Sequence, residues 1–191
     1  MILDIIDSYR ESFHALDWPV EAFIHNWTSY RTFFLLDRER GQPSMPRMIS
    51  EGRIVKKDAR LDDVKKEAEE LLQKGPEPWS DTTIIQKRYF LTDALDDFIG
   101  CSDRGEGLFI AASLAEQASE FYLRINRQWT GSSKWMVRSL KNFNPDFAAS
   151  LIQGLNRFYE KGEKADLVHV IEQLLHCYGG RLFDGFSIRK S

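Results

Sequence analysis

The chain has 191 residues, 42% hydrophobic and 13% aromatic, enough apolar material for one ordinary core or for a small unit beside a compact one, and too much for a disordered chain. Its formal net charge of -3 speaks against a general nucleic-acid coat, which needs a basic surplus to displace phosphate counterions, and leaves open a local acidic groove for a cationic small molecule. The two cysteines, Cys101 and Cys177, make no disulfide framework. No stretch reaches the roughly 20 apolar residues that span a bilayer, and Asp4 and Asp7 stand where a secretion signal carries bases, so a reducing, cytoplasmic setting is expected.

In chain order, residues 2–16 read as an amphipathic helix, with Ile2, Ile5, Ile6, Tyr9, Phe13 and Leu16 at helical spacing. Trp18-Pro19 is expected to break it. Residues 20–25 alternate, with Val20, Ala22 and Ile24 on one face and Glu21, Phe23 and His25 on the other, and form the one strand the pattern predicts. A lone strand needs a neighbour for its backbone groups, so a partner edge has to come from elsewhere. Thr28 caps a helix to about Arg40, closed by Gly41. Residues 42–60 read as irregular, with two prolines and a basic cluster of Arg53, Lys56, Lys57 and Arg60. A charged helix follows over 61–74, its stripe made by Leu61, Val64, Ala68, Leu71 and Leu72, and Gly75-Pro76-Glu77-Pro78 reads as a linker.

Beyond the linker every predicted element is helical. Ser80 or Asp81 caps a helix to about Ile99, with Ile84, Leu91, Leu95 and Phe98 inward. The next runs from about Gly107 to Gln128, with Leu108, Ala112, Ala115, Ala118, Tyr122 and Ile125 in register. A shorter helix starts at Ser133 and runs through Leu140. Asn144-Pro145 opens one to about Glu160, and the last, near 164–178, stops at Gly179-Gly180. The expected fold is mainly α: an up-down helical bundle preceded by a helix and one β-strand.

The stretch Trp18-Pro19-Val20-Glu21-Ala22-Phe23-Ile24-His25 resembles the last core strand of nucleotidyltransferases of the DNA polymerase β superfamily, particularly small bacterial proteins related to aminoglycoside nucleotidyltransferases. Leu123-Arg124-Ile125-Asn126-Arg127-Gln128-Trp129, followed by Ser133-Lys134-Trp135, looks like the helical substrate-side domain of the same proteins. The resemblance implies that residues 1–60 are a remnant of a catalytic domain, 61–79 a helix and linker, and 80–191 a substrate-binding helical bundle. It implies transfer of a nucleoside monophosphate from an NTP to a hydroxyl acceptor. In such enzymes a Gly-Ser turn and an Asp-x-Asp pair hold two magnesium ions, and a carboxylate on a neighbouring strand completes the site or acts as general base. Glu21 matches that carboxylate. The Gly-Ser turn and paired aspartates do not precede it, so the chain is expected to be incomplete alone, with Mg2+ and NTP bound only if the missing catalytic half is supplied. Truncation and supply by another polypeptide both explain the gap.

The remaining candidates are Glu116, Lys87, Arg127 and His25 as substrate-binding residues. Glu116 sits among Ala111, Ala112, Ala115 and Ala118, where a partly buried acid would need a partner such as Lys87, Arg88, Arg124 or Arg127. His25 shares the Glu21 face; the plainer reading is a surface histidine. The acid set Asp93, Asp96, Asp97, Asp103, Glu106, Glu116 and Glu120 reads either as solvated helix faces or as a pocket for a cationic acceptor. His169, Glu172 and His176 share a helical face, but the spacing is not that of a His-Glu-x-x-His motif and no further ligand is evident, so no metal site is assigned.

The competing function is a non-enzymatic binding or dimerisation module, either a homodimer or the partner of a nucleotidyltransferase subunit. A HEPN-type ribonuclease needs four to six residues between an arginine and a following histidine; Arg10 and His14 are separated by only three.

Overall fold

A computed structural model of the protein describes residues 4–188. Among these residues there are eight helices and one two-stranded sheet, so the chain is mainly helical. It divides into two compact units, Met1–Pro76 and Glu77–Ser191, the division falling within Gly75-Pro76-Glu77-Pro78.

The first unit opens with a hairpin, β1 (Tyr9–Ala15) and β2 (Trp18–Ile24), where a helix is expected over 2–16; Ile2 lies outside the described residues. The helical periodicity there is coincidental. Leu16 and Asp17 both take positive φ, 49° and 65°, as two-residue hairpin loops require, and this brings Ala15 opposite Trp18 and Tyr9 opposite Ile24. The partner of the predicted strand is therefore local, and the expectation that it must come from elsewhere is corrected. Pro19 is accommodated because a two-stranded ribbon is all edge. One face of the hairpin carries Tyr9, Phe13, Trp18 and Val20; the other carries Arg10, Ser12, His14, Glu21 and Phe23.

Behind the hairpin come α1 (Ser29–Arg40), α2 (Ser44–Glu51) and α3 (Arg60–Lys74). The helix α2 falls in the stretch expected to be irregular. Its prolines do not oppose it: Pro43 is the residue before the helix and Pro46 lies in the first turn, where no backbone N–H is missed. What fixes α2 is Asp37, which is fully buried and accepts a hydrogen bond from the Met45 N–H at 2.7 Å. The core of this unit is Tyr30, Phe34, Met45, Val64 and Ala68, with Trp27, Ile49 and Leu71 packed against it.

The second unit contains α4 (Asp81–Gly100), α5 (Arg104–Ile125), α6 (Lys134–Phe143), α7 (Pro145–Lys161) and α8 (Ala165–Cys177). Ser80, Asp103 and Asn144 cap α4, α5 and α7 by accepting the N–H groups of Thr83, Glu106 and Phe147. Leu91, Leu95, Phe98, Leu114, Phe121, Leu151, Leu167 and Ile171 are among the residues that fill one continuous core. In α5 the buried stripe is Gly107, Ala111, Leu114, Ala118 and Phe121, partly displaced from the predicted register, and Leu108 and Ala112 face solvent. Helix α7 meets α8 at Gly154, where a Cβ would lie 2.9 Å from the backbone N and Cα of Leu167. Close approach there requires the glycine.

Candidate functional site

The predicted site residues fall in two places, one in each unit. In the first unit, Glu21 stands on the polar face of β2 and is paired with Arg10 of β1. Both side chains are more than half exposed, 54% and 59%. The pairing is diagonal: Arg10 is opposite Phe23 and Ser12 is opposite Glu21, so Arg10 and Glu21 are neighbours on one face. The Arg10 guanidinium also lies 5.1 Å from the centre of the Phe23 ring. Sequence alone does not bring Arg10 to Glu21; its place there follows from β1 being a strand.

His25, at the end of the same strand, is not a surface residue. It is only 4% exposed, its Nδ1 lies 3.3 Å from the Ser29 Oγ, and its ring meets Phe33 edge-on at 4.8 Å. Burial lowers its pKa below the usual imidazole value, because the protonated ring would lose water without gaining a counter-ion. The imidazole is therefore neutral near pH 7.

Glu21 by itself does not make a magnesium site. It is a single carboxylate already bound to a guanidinium, and among the described residues no group of three or more His, Cys, Asp or Glu side chains converges to hold a metal ion.

In the second unit, a groove of about 550 Å³ runs between α4 and α5. Lys87, Asp93 and Asp97 bring charge to it, Gln86, Ser113 and Gln117 bring neutral polar groups, and Phe90 and Ile110 bring apolar surface. Lys87 donates to the Glu120 carboxylate at 2.6 Å and lies 5.3 Å from the Trp79 ring centre. The same ring is met by Arg124 at 5.2 Å, whose Nη2 donates to the Glu77 carbonyl at 2.8 Å. Arg124 is 3% exposed, and burial lowers its pKa while the Glu120 charge opposes that shift.

Of the predicted substrate-binding residues in this unit, only Lys87 lines the groove. Glu116 is exposed rather than partly buried, because the register of α5 turns it to solvent. None of its proposed partners pairs with it: Lys87 goes to Glu120, Arg88 to the Tyr178 carbonyl and Arg124 to Glu77. Arg127 is exposed just beyond α5, in the left-handed region at φ 55°.

The acid set sorts by role. Asp103 is a cap, Asp96 and Glu172 share Arg181, Glu120 holds Lys87, and Asp93 and Asp97 face the groove. The binding of Glu172 by Arg181 also takes the middle member out of the His169, Glu172 and His176 set. In the basic cluster, Arg60 chelates Asp58 and covers the Trp27 ring at 3.7 Å. Hydrogen bonds from Arg60 hold the Asp58 carboxyl at a pKa of about 2.

Comparison with described protein families, with curated proteins and with solved structures gives no match. No helix among the described residues is long and apolar enough to cross a membrane.

Proposed function

We propose that the chain is the acceptor-side portion of a nucleotidyltransferase-like protein. The helical unit would hold a hydroxylated or cationic acceptor in the α4–α5 groove, and Glu21 would serve a transfer reaction whose metal-binding carboxylates come from other residues. In a reaction of that class the acceptor hydroxyl attacks the α-phosphorus of the NTP, pyrophosphate leaves, and a strand carboxylate takes the hydroxyl proton; Glu21 is the residue matched to that carboxylate. The observation that carries the reading is the groove: Asp93 and Asp97 stand one turn apart on α4 over apolar Phe90 and Ile110, beside the amides of Gln86 and Gln117. Carboxylates over an apolar floor with neutral donors around them suit a polar molecule bearing amino groups. The up-down arrangement of the bundle and a reducing cytoplasmic setting, which the free thiols of Cys101 and Cys177 fit, belong to the same proposal.

Calorimetry of the whole chain with an aminosugar or a polyamine tests the groove. Saturable binding weakened about tenfold or more by Asp93→Asn with Asp97→Asn is expected, and no heat at millimolar ligand would remove the acceptor role. Magnesium-dependent transfer from labelled ATP to hydroxylated acceptors tests Glu21. With the metal-binding half added, Glu21→Gln should abolish the product; undiminished transfer would take Glu21 out of the mechanism.

A second reading, a non-enzymatic module that dimerises or holds a nucleotidyltransferase subunit, is favoured by one feature. The hairpin and its flank leave Ile6, Tyr9, Leu16 and Trp18 at least half exposed, and a two-stranded ribbon with an uncovered apolar face is marginal alone. Sedimentation at micromolar concentration separates the outcomes, since a strict monomer argues against self-association through this face.

A further inference from the structure

A second cavity lies entirely within the first unit, and neither the transfer reaction nor the acceptor groove uses it. It has a volume of about 370 Å³, at the small end of sites that take a small molecule. One wall is the start of β1 with the end of β2: Tyr9, Arg10, Phe23 and His25. The other is α1, from its second turn to its end, and the first turns of α2, with Phe33, Arg40, Met45 and Met48.

Phe23, Phe33 and the thioethers of Met45 and Met48 make most of this lining apolar and adaptable in shape. The polar lining residues are Ser8, Arg10, His25, Asp37, Arg40 and Ser44; Asp37 is neutralised by Arg40, and the two arginines have donors left. The Arg10 guanidinium uses Nη2 toward Glu21 and Arg40 uses Nη2 toward Asp37, so each keeps further N–H donors of its five. The His25 ring is 4% exposed, bonds Ser29 only through Nδ1, and makes no hydrogen bond from Nε2 among the described residues. Nε2 is not among the buried nitrogens left unpartnered, so it is open to solvent, and a ligand group there replaces water.

We propose that this cavity binds a flat aromatic ring carrying one anionic arm. The ring lies among Phe23, Phe33 and the two methionines, a polar ring substituent meets His25 Nε2, and the anion takes the remaining donors of Arg10 and Arg40. A neutral imidazole can present Nε2 as donor or acceptor by changing tautomer, so it suits either kind of ring substituent. The anion is a phosphate or a carboxylate; both give the guanidiniums a bidentate partner. This inference does not rest on the transfer reaction and survives its failure.

The test uses the whole chain with 13C-methyl methionine. Met45 and Met48 line the cavity, whereas Met136 is in the second unit and serves as an internal control. The probes are AMP for a phosphate arm, 4-hydroxybenzoate for a carboxylate arm, and adenosine and inorganic phosphate as ring and anion alone. Saturable shifts of the Met45 and Met48 methyls with AMP or 4-hydroxybenzoate, with Met136 unmoved, are expected, and which of the two binds identifies the arm. The matching half-probes should bind at least about tenfold more weakly, as should Arg10→Gln, a substitution at an exposed side chain that leaves the core untouched. The proposal is overturned if neither whole probe shifts these methyls at millimolar concentration. It is equally overturned if Met136 moves with them, or if Arg10→Gln binds as tightly as the parent.

Discussion

Two glycine-to-alanine substitutions in the helical unit should have opposite signs. In an open helix position the change stabilises by up to about 1 kcal/mol, because alanine has less backbone entropy to lose. Gly100, the last residue of α4, is such a position: a Cβ there would meet nothing within 4 Å. Gly154 is the reverse. Its Cβ would stand 2.9 Å from the backbone N and Cα of Leu167 and 3.2 Å from the Leu167 Cβ, and backbone cannot swing away as a side chain can. Helices α7 and α8 would have to separate by several tenths of an ångström, disturbing packing around fully buried Leu167. Overpacking of this kind costs about 1–3 kcal/mol, and a backbone obstacle belongs near the upper end. After the gain of about 1 kcal/mol in helix propensity, Gly154→Ala should lose roughly 1–2 kcal/mol while Gly100→Ala gains a fraction of one. Urea denaturation followed by helical circular dichroism measures both against the parent. A Gly154→Ala protein as stable as the parent would refute the claim that these two helices are held at closest approach.

The first unit offers three further tests. Asp37→Ala removes the acceptor of the Met45 N–H and should cost about 1–3 kcal/mol, read as lost amide-exchange protection at the start of α2; the half-exposed Arg40 adds little to that figure. Burial, followed by its hydrogen bond to Glu67, pushes the Tyr30 phenol from 10.0 up to about 12. Stability from Tyr30 is therefore complete below about pH 10 and is lost as pH rises through about 12, and Tyr30→Phe should flatten that alkaline limb in denaturant midpoints. His25 runs the other way. With its pKa lowered by burial from 6.5, its contribution is present above pH 6.5 and lost as the pH falls through the lower folded value; an NMR titration of the imidazole that matched free histidine would contradict it.

The helices beyond the linker were legible because each carries its own start signal and a long apolar stripe. Ser80 before α4 and Asn144-Pro145 before α7 are local chemistry, and local chemistry survives folding unchanged. The hairpin was not legible for the opposite reason. Its turn, Leu16-Asp17, lacks the glycine or asparagine that usually supplies positive φ, and Ile5, Ile6, Tyr9, Phe13 and Leu16 fall at helical spacing. Nothing within residues 2–16 reveals that Phe13 pairs with Val20. The site residues divide along the same line. Glu21 and His25 are placed by alternation along one strand, but the burial of His25 depends on Ser29 and Phe33 of the next helix. Glu116 was misplaced because α5 buries Ala111 and Leu114 while Ala112 faces out, a phase that alanine-rich sequence leaves ambiguous. Asp37 carried no signal at all, since a lone acid on a predicted helix gives no hint that it will cap the next one.

Arg10 ties the two ideas about the first unit together and also separates them. Its ion pair with Glu21 joins two side chains that are each more than half exposed, and such pairs contribute only about 0–1 kcal/mol. The hairpin does not depend on it, so the guanidinium can turn toward another anion at small cost and leave the Glu21 carboxylate free to take a proton. Removing Arg10 thus has different consequences for the two proposals. If Glu21 is a base in a transfer reaction, Arg10→Gln leaves it unpaired but present, and transfer persists where Glu21→Gln ends it. If the cavity takes an aromatic anion, Arg10→Gln weakens that ligand and Glu21→Gln does not, because Glu21 is not part of the cavity lining. The pair of substitutions therefore sorts a catalytic carboxylate from a binding guanidinium, although the two groups touch.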